Sequence, residues 1–322
     1  MCLVSFVICS HKAPDTLYRT LQSIIEQVED DHVEIILVNN GFSSKIEQEI
    51  FEFVTRLGKS ERFLVINEPK SGLGNARIAG FLNSTGKFLV LLDDDNYIAS
   101  DFIQKLGDVL SRMPNLGGIC PLVTADWEQC PDEWLQDFGR YCLSYNASGK
   151  FHPPLTEKEW SASQFDKVIR PPGGGMIVNR IVAEAYLKAA TDQRRINLSR
   201  QPNSLVGCED YDLYSFVGEL SMTSFFTDKL KVFHIIPATR TKIRYLSRLN
   251  FQMIYSFGIL RVLRSEESSS NILILFKTVI NIILNLMSIF TVTSRGKKTF
   301  LLILRDIGYV IGVFHGRRII AG

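Results

Sequence analysis

Along the first hundred residues, short apolar runs alternate with stretches in which apolar side chains recur every three or four positions. Val4–Cys9, Val33–Val38, Phe63–Ile66 and Phe88–Leu92 are almost continuously apolar. That is the pattern of strands buried on both faces. Between them, Pro14 and Asp15 open a segment with Leu17, Leu21, Ile24 and Ile25 on one helical face. Ile46, Ile50, Phe51 and Val54 mark a second helix, and the Gly72–Gly74 loop leads into a third over Asn75–Leu82. Strands that alternate with helices predict a mostly parallel sheet with helices on both faces. Each apolar run ends in polar residues: Ser10-His11, Asn39-Asn40, Asn67-Glu68 and Asp93-Asp94-Asp95. Ligands of such sheets bind beyond the carboxyl ends of the strands, so these clusters predict where the site lies.

Beyond residue 100 the pattern is less regular. Trp127, Trp134 and Trp160 stand among acids, where a ligand ring can stack on one of them, although a single Trp is more often structural. Arg170–Gly175 is a side-chain-poor segment before Met176-Ile177-Val178. Gly207–Val217 carries acids into a helical pattern, and Val232–Ile236 reads as a strand with His234 in its middle. The tail holds two apolar stretches, Ile272–Phe290 and Phe300–Phe314. Lys277, Asn281 and Asn285 break the first, and Arg305 and Asp306 the second. A membrane span needs about 20 mostly apolar residues. Interfacial amphipathic helices are therefore expected, with a tilted hairpin left open and two helices packed on the main domain an equal alternative.

Composition adds one decisive fact. The formal net charge of +2 conceals a split: from Arg240 onward there are 13 Lys/Arg against 3 Asp/Glu, and before it 23 against 31. A basic, apolar tail fits an anionic partner, either membrane lipid or a phosphate-bearing substrate. Nucleic acid is not expected as a partner, because the basic residues are interleaved with aliphatic runs rather than aromatic platforms. A hydrophobic share of 46% excludes a disordered chain. The six cysteines form no CxxC pair and read as reduced thiols of a cytosolic protein. The apolar start has no basic region before it and does not read as a signal peptide.

The acidic triplet Asp93-Asp94-Asp95 carries the sharpest chemistry. In an extended chain Asp93 and Asp95 point the same way. Two carboxylates facing one site repel unless a cation neutralises them, and Mg²⁺ or Mn²⁺ prefers such oxygens. A solvated acidic turn accounts for the triplet about equally well. Glu209-Asp210 can supply a base, or can simply favour a helix N-terminus. His234 fits a metal ligand or a satisfied core histidine, and Arg77 can hold a fixed charge near a diphosphate.

The ordered set Val4–Ser10, Ile35–Gly41, Asn67–Gly80 and Phe88–Asp95 resembles the nucleotide-binding half of family 2 inverting glycosyltransferases, which have the GT-A fold. Gly207–Leu213, with Glu209 and Asp210, resembles that family's acidic acceptor-side motif. The resemblance covers about residues 3–240. It implies a Rossmann-like α/β sheet with a nucleotide-sugar half (1–100), an acceptor and catalytic half (101–240) and a helical tail (241–322). It further implies that Ser10, Asn39, Arg77, Asp93 and Asp94 serve the nucleotide. Asp95 and His234 would hold Mn²⁺ or Mg²⁺, Asp210 would be the base, and Glu209 would position the acceptor. The implied partners are a nucleotide-sugar donor, with a UDP-sugar favoured, and a glycan or lipid-linked acceptor at the cytoplasmic face of the membrane. The family usually has Asp where this chain has Asn39. A sugar nucleotidyltransferase and a non-catalytic binding protein are the alternatives. The first would want a glycine-rich loop where Ser10-His11-Lys12-Ala13-Pro14 stands.

Overall fold

The computed structural model describes residues 3–28, 32–58, 60–113, 115–139, 143, 157–160, 171, 173–287 and 295–321. The chain divides into two compact units. The first comprises Met1–Asp126, Ser144–Thr191 and Asp210–Ile236; the second comprises Trp127–Leu143, Asp192–Glu209 and Pro237–Gly322.

The first unit is built on a nine-stranded sheet. Its strands are β1 (Val4–Ser10), β2 (Val33–Asn39), β3 (Phe63–Asn67), β4 (Phe88–Asp93), β5 (Asn96–Ile98), β6 (Leu116–Trp127), β7 (Lys158–Trp160), β8 (Ile177–Asn179) and β9 (Thr223–Ile236). They run in the order β3-β2-β1-β4-β8-β6-β9-β5, with β7 on β9. The pairs β3–β2, β2–β1 and β1–β4 are parallel, as the sequence predicts. The remaining strands bring antiparallel pairs: β8 with β4 and β6, and β9 with β5 and β7.

Every residue of β1 is buried, which is why the strand carries no alternation. Helix α1 (Asp15–Ile25) packs against β5, α2 (Ser44–Arg56) against α1, α3 (Leu73–Leu82) across β1 and β2, and α4 (Phe102–Arg112) against β9. Leu17, Leu21, Ile24 and Ile25 of α1 are buried, the face read from the sequence. The parallel register aligns Ser10 with Asn39, Asn39 with Asn67, and Cys9 with Asp93. The polar ends of four strands thus form one row at the carboxyl edge. Two further helices complete this part of the chain: α6 (Arg180–Ala189), and α8 (Glu209–Glu219), whose first residue belongs to the other unit.

The second unit holds α5 (Glu133–Phe138), α7 (Gln193–Ile196) and the tail helices α9 (Ile243–Leu263), α10 (Asn271–Met287) and α11 (Arg295–Ala321). Helices α9 and α11 lie close together. A Cβ on Gly312 would come within 2.1 Å of the Tyr255 carbonyl oxygen, and one on Gly308 within 2.8 Å of that of Phe251. Only glycine allows this approach. By length and composition, Gly296–Ala321 is the one helix among the described residues long and apolar enough to cross a membrane. Of the first apolar stretch read from the sequence, residues 288–290 lie outside the described residues, as do Arg170 and Pro172 of the side-chain-poor segment.

Candidate active site

The acidic triplet forms the corner between two strands. Asp93 ends β4, Asp94 and Asp95 make the turn, and Asn96 begins β5. The extended geometry assumed for Asp93 and Asp95 therefore does not hold. The chain turns between them, and their carboxylates meet different neighbours. The turn has its own cause: β4 is held between β1 and β8, while β5 must pair with β9 at the far end of the strand order.

Asp93 accepts a hydrogen bond at Oδ1 from Arg77 Nη2 at 3.2 Å, and its backbone N–H donates to Asn96 Oδ1 at 3.3 Å. Arg77 is buried on α3, so its guanidinium is a fixed charge behind the acid. Asp94 accepts from the Ser10 hydroxyl at 2.5 Å, and its carbonyl accepts from Thr16 at 2.8 Å. Ser10 Oγ also accepts from the Ala13 N–H at 3.0 Å. Ser10 and Asp94 thereby tie the end of β1 and the start of α1 to the acidic corner.

Asp95 faces β9. Its Oδ2 lies 3.6 Å from His234 Nε2, and its carbonyl accepts from the Ile235 N–H at 2.8 Å. The antiparallel register that pairs Asn96 with His234 enforces this neighbourhood. A gap of 3.6 Å is too long for a hydrogen bond. It is close to the separation of about 3.0–3.4 Å between two ligands bonded at about 2.1 Å to one divalent ion. A carboxylate oxygen beside an imidazole nitrogen suits Mn²⁺, and more loosely Mg²⁺. Among the described residues no cluster of three His, Cys, Asp or Glu surrounds one point. Such an ion would take its other ligands from substrate phosphate and water.

Asp210, near the start of α8, accepts at Oδ2 from the Gly173 N–H at 3.2 Å and at Oδ1 from the Tyr211 N–H at 2.7 Å. The Gly173–Gly174 backbone is pressed against side chains of α3 and of the acidic corner. A Cβ on Gly173 would lie 2.6 Å from Arg77 Nη2. One on Gly174 would lie 2.2 Å from Asn96 Oδ1 and 2.9 Å from Asp93 Oδ2. The diglycine is thus demanded by its protein neighbours. Glu209 is buried at the first position of α8 and closes the second unit's segment, so the unit boundary passes between Glu209 and Asp210.

Asn39 turns its amide into its own loop. Its Oδ1 accepts from the N–H groups of Gly41 and Phe42 at 3.0 and 2.9 Å, and its Nδ2 donates to the Phe42 carbonyl and Glu47. Asn40, which the sequence reading left without a role, holds the loop before α3. It donates to the Glu68 and Lys70 carbonyls and accepts from the Gly72 N–H, at 2.8–2.9 Å. A second unanticipated cluster adjoins the corner. Tyr97 stacks on Phe233, carries the Arg19 guanidinium over its ring at 3.7 Å, and donates to Asp126 at 2.9 Å. Burial, the hydrogen bond to Asp126 and that carboxylate's charge push the Tyr97 hydroxyl up to about 12. Only the adjacency of Tyr97 to the triplet could have signalled it in the sequence. Trp134 is occupied within the second unit, donating to Asp132 with Lys297 over its ring.

Comparison with known proteins places the chain in a family. The model of the family described as Glycosyl transferase family 2 matches residues 5–185, more than half the chain. EpsH of Bacillus subtilis is 30% identical over 92 residues, 29% of this chain and 26% of that one. EpsJ of the same organism is 28% identical over 104 residues, 32% of this chain and 29% of that one. The matched segment is thus under a third of either relative's length. The crystal structure of S. aureus TarS 1-349 in complex with UDP-GlcNAc superposes with a TM-score of 0.50 at 10% identity, covering 78% of this chain and 66% of that one. At that identity the likeness is one of fold.

Proposed function

From the premise that the chain belongs to glycosyl transferase family 2, we propose that it is a metal-dependent inverting glycosyltransferase. It moves a sugar from a nucleotide-sugar, favoured as a UDP-sugar, onto a hydroxyl of a glycan or lipid-linked acceptor. The observation that carries this reading is the diglycine Gly173–Gly174, flanked by Asp210 on one side and by Asp93 with Arg77 on the other. One short segment thus brings a candidate base next to a candidate donor-binding acid.

In this reading Asp93 and the β1–α1 corner tied by Ser10 and Asp94 receive the nucleoside. With the Asn39 amide committed to its own loop, the base is met by the backbone of that loop. Asp95 and His234 hold the divalent ion, which when bound neutralises charge on the leaving diphosphate. Arg77 fixes the Asp93 carboxylate. Asp210 takes the proton of the acceptor hydroxyl, and the hydroxyl oxygen bonds to the anomeric carbon from the face opposite the diphosphate. The bond from that carbon to the phosphate oxygen breaks, and its electron pair leaves on the nucleoside diphosphate. The configuration inverts without a covalent sugar–enzyme intermediate. Glu209 positions the acceptor. The basic, apolar tail supports a peripheral location at the cytoplasmic face of a membrane, where a lipid-linked acceptor is presented.

Incubating the full chain with a panel of nucleotide-sugars and Mn²⁺ tests the reading. Release of nucleoside diphosphate from one of them, abolished by chelation, is the expected result. Release of pyrophosphate from a nucleoside triphosphate and a sugar phosphate would establish a nucleotidyltransferase instead. No turnover or binding of any donor would favour a non-catalytic protein.

A further inference from the structure

The helix best suited by length to cross a bilayer has one side packed closely on protein. Helix α11 lays Gly308 and Gly312 on the backbone of α9 and buries Leu301, Val310 and Val313. Helix α10 behaves differently. Of its apolar residues up to Ile283, only Ile274 is buried, joining Val262, Val310 and Val313 in a small core bordered by Tyr309 and Phe314. Thr278 and Ile282, one and two turns further, are half-buried on the same side.

At about 100° per residue, the opposite side of α10 is an uninterrupted apolar arc of about 160°. Leu275, Val279, Ile272, Ile283, Phe276, Ile280 and Leu273 follow one another around it, each 39–80% exposed. No polar side chain enters the arc; Lys277 and Asn281 fall between it and the packed face. Seven exposed apolar side chains on one face exceed the patch that a soluble monomer ordinarily leaves open.

The arc is also held in a fixed orientation. Arg317 donates to Asn271 Oδ1 and to the Ser269 carbonyl, tying the start of α10 to the end of α11. Tyr309 donates to Glu267, and Arg264 to Glu266 at 2.7 Å, so the α9–α10 connection is anchored on both neighbours. The 17 described residues of α10 run about 26 Å. Its surroundings are basic. Lys277 sits at the arc's edge, Arg317 at its start, and Arg295, Lys297 and Lys298 follow it in the chain.

We propose that α10 lies in the plane of an anionic bilayer surface, its Leu275–Phe276–Val279 arc among the acyl chains, while α9 and α11 form the protein platform behind it. Deepening the membrane location given under the proposed function, this inference rests on it. It assigns the contact to the outer face of α10, with the glycine face of α11 kept on α9. Apolar insertion supplies a salt-resistant part of the binding, and Lys277 with its neighbours a salt-sensitive part.

The test is co-sedimentation of the full chain with phosphatidylcholine vesicles, with and without phosphatidylglycerol, at low and high salt. Alongside it run the triple variant Leu275→Asp, Phe276→Asp, Val279→Asp and the control Leu82→Asp, which alters an exposed leucine of the first unit. The expected result is wild-type binding to the anionic vesicles, reduced but not abolished by salt. The triple variant should fall at least tenfold and the control should match wild type. Wild type remaining in the supernatant would overturn the membrane location and this inference together. Equal binding of wild type and triple variant would overturn the inference alone. A wild-type dimer that the triple variant dissociates, with vesicle binding unchanged, would make the arc an interface between copies. As a check independent of folding, the single variant Phe276→Trp should show fluorescence quenched by shallowly brominated lipid. An unquenched tryptophan on vesicle-bound protein would also refute the placement.

Discussion

The acidic corner between β4 and β5 and the apolar arc of α10 treat conspicuous side chains in opposite ways. At the corner the chain answers its own charges: Asp93 meets Arg77, Asp94 meets Ser10, and Asp95 stands beside His234. On α10, seven apolar side chains face outward. A group already held by protein partners keeps its geometry before any ligand arrives, so altering it costs chemistry or stability. A group facing outward contributes little to folding, so altering it should register only against an external partner.

The largest effect expected from this contrast is at Asp210. Asp210→Asn keeps the shape and the bond from Gly173 but cannot accept a proton, so transfer should fall by about a hundredfold to ten thousandfold. Nucleotide-sugar binding, followed by calorimetry, should persist. Transfer near the wild-type rate would remove Asp210 from the base role.

Next in size is Asp95→Ala. Mn²⁺ should tighten nucleoside diphosphate binding to the wild type, and the variant should lose about a hundredfold of that metal-dependent affinity, the scale of a few kcal/mol. Affinities in wild type and variant that are equal and insensitive to Mn²⁺ would leave Asp95 and His234 as a structural pair only.

A direct comparison of the two regions follows from stability. Gly174→Ala forces a Cβ to within 2.2 Å of Asn96 Oδ1 and should cost about 1–3 kcal/mol in denaturant unfolding. Leu275→Ser, on the open arc, should change stability by less than about 0.5 kcal/mol. Similar losses at both positions would mean that the arc is part of a packed interior.

The smallest effect concerns pH. The Tyr97 hydroxyl, ordinarily near 10, is raised to about 12 by burial and by Asp126. A raised folded-state pKa stabilises below the unfolded value and loses that contribution as pH climbs through the folded one. Stability should therefore decline between pH 10 and about 12, and Tyr97→Phe should flatten that decline. Burial and the bond to Glu267 raise the Tyr309 hydroxyl to about 12 as well, so phenolate absorbance should show a late-titrating group of tyrosines that loses one member in Tyr97→Phe. A wild-type profile that matches Tyr97→Phe throughout would sever the Tyr97–Asp126 link.

Much of the first unit was legible in the sequence because its cues are local. Continuous apolar runs marked β1 to β4, and a one-sided apolar pattern marked α1. The polar strand ends located the site, since a parallel register must bring such ends to one edge. The twelve-residue β6, the short β8 and the β5–β9 pairing were not legible. Their antiparallel partners lie far away in the chain, and no short-range period announces them. Helix α9 went unread because polar and apolar residues share its faces, and the repeat Gly308–Gly312–Gly316 passed as part of an apolar stretch.

What the sequence determined by itself is the order of strands and helices in the first hundred residues, the acids and histidine available, and the basic, apolar nature of the tail. These follow from side-chain chemistry and near-neighbour spacing, which are fixed once the chain is written. Only the tertiary structure decided that Asp93 turns to Arg77 while Asp95 turns to His234. The turn at Asp94–Asp95 is set by the need of β5 to pair with β9, a contact far along the chain. It also decided which apolar helix is packed and which is open. Burial depends on what the rest of the chain brings alongside: for α11 that is the backbone of α9, and for the outer face of α10 the described residues bring nothing.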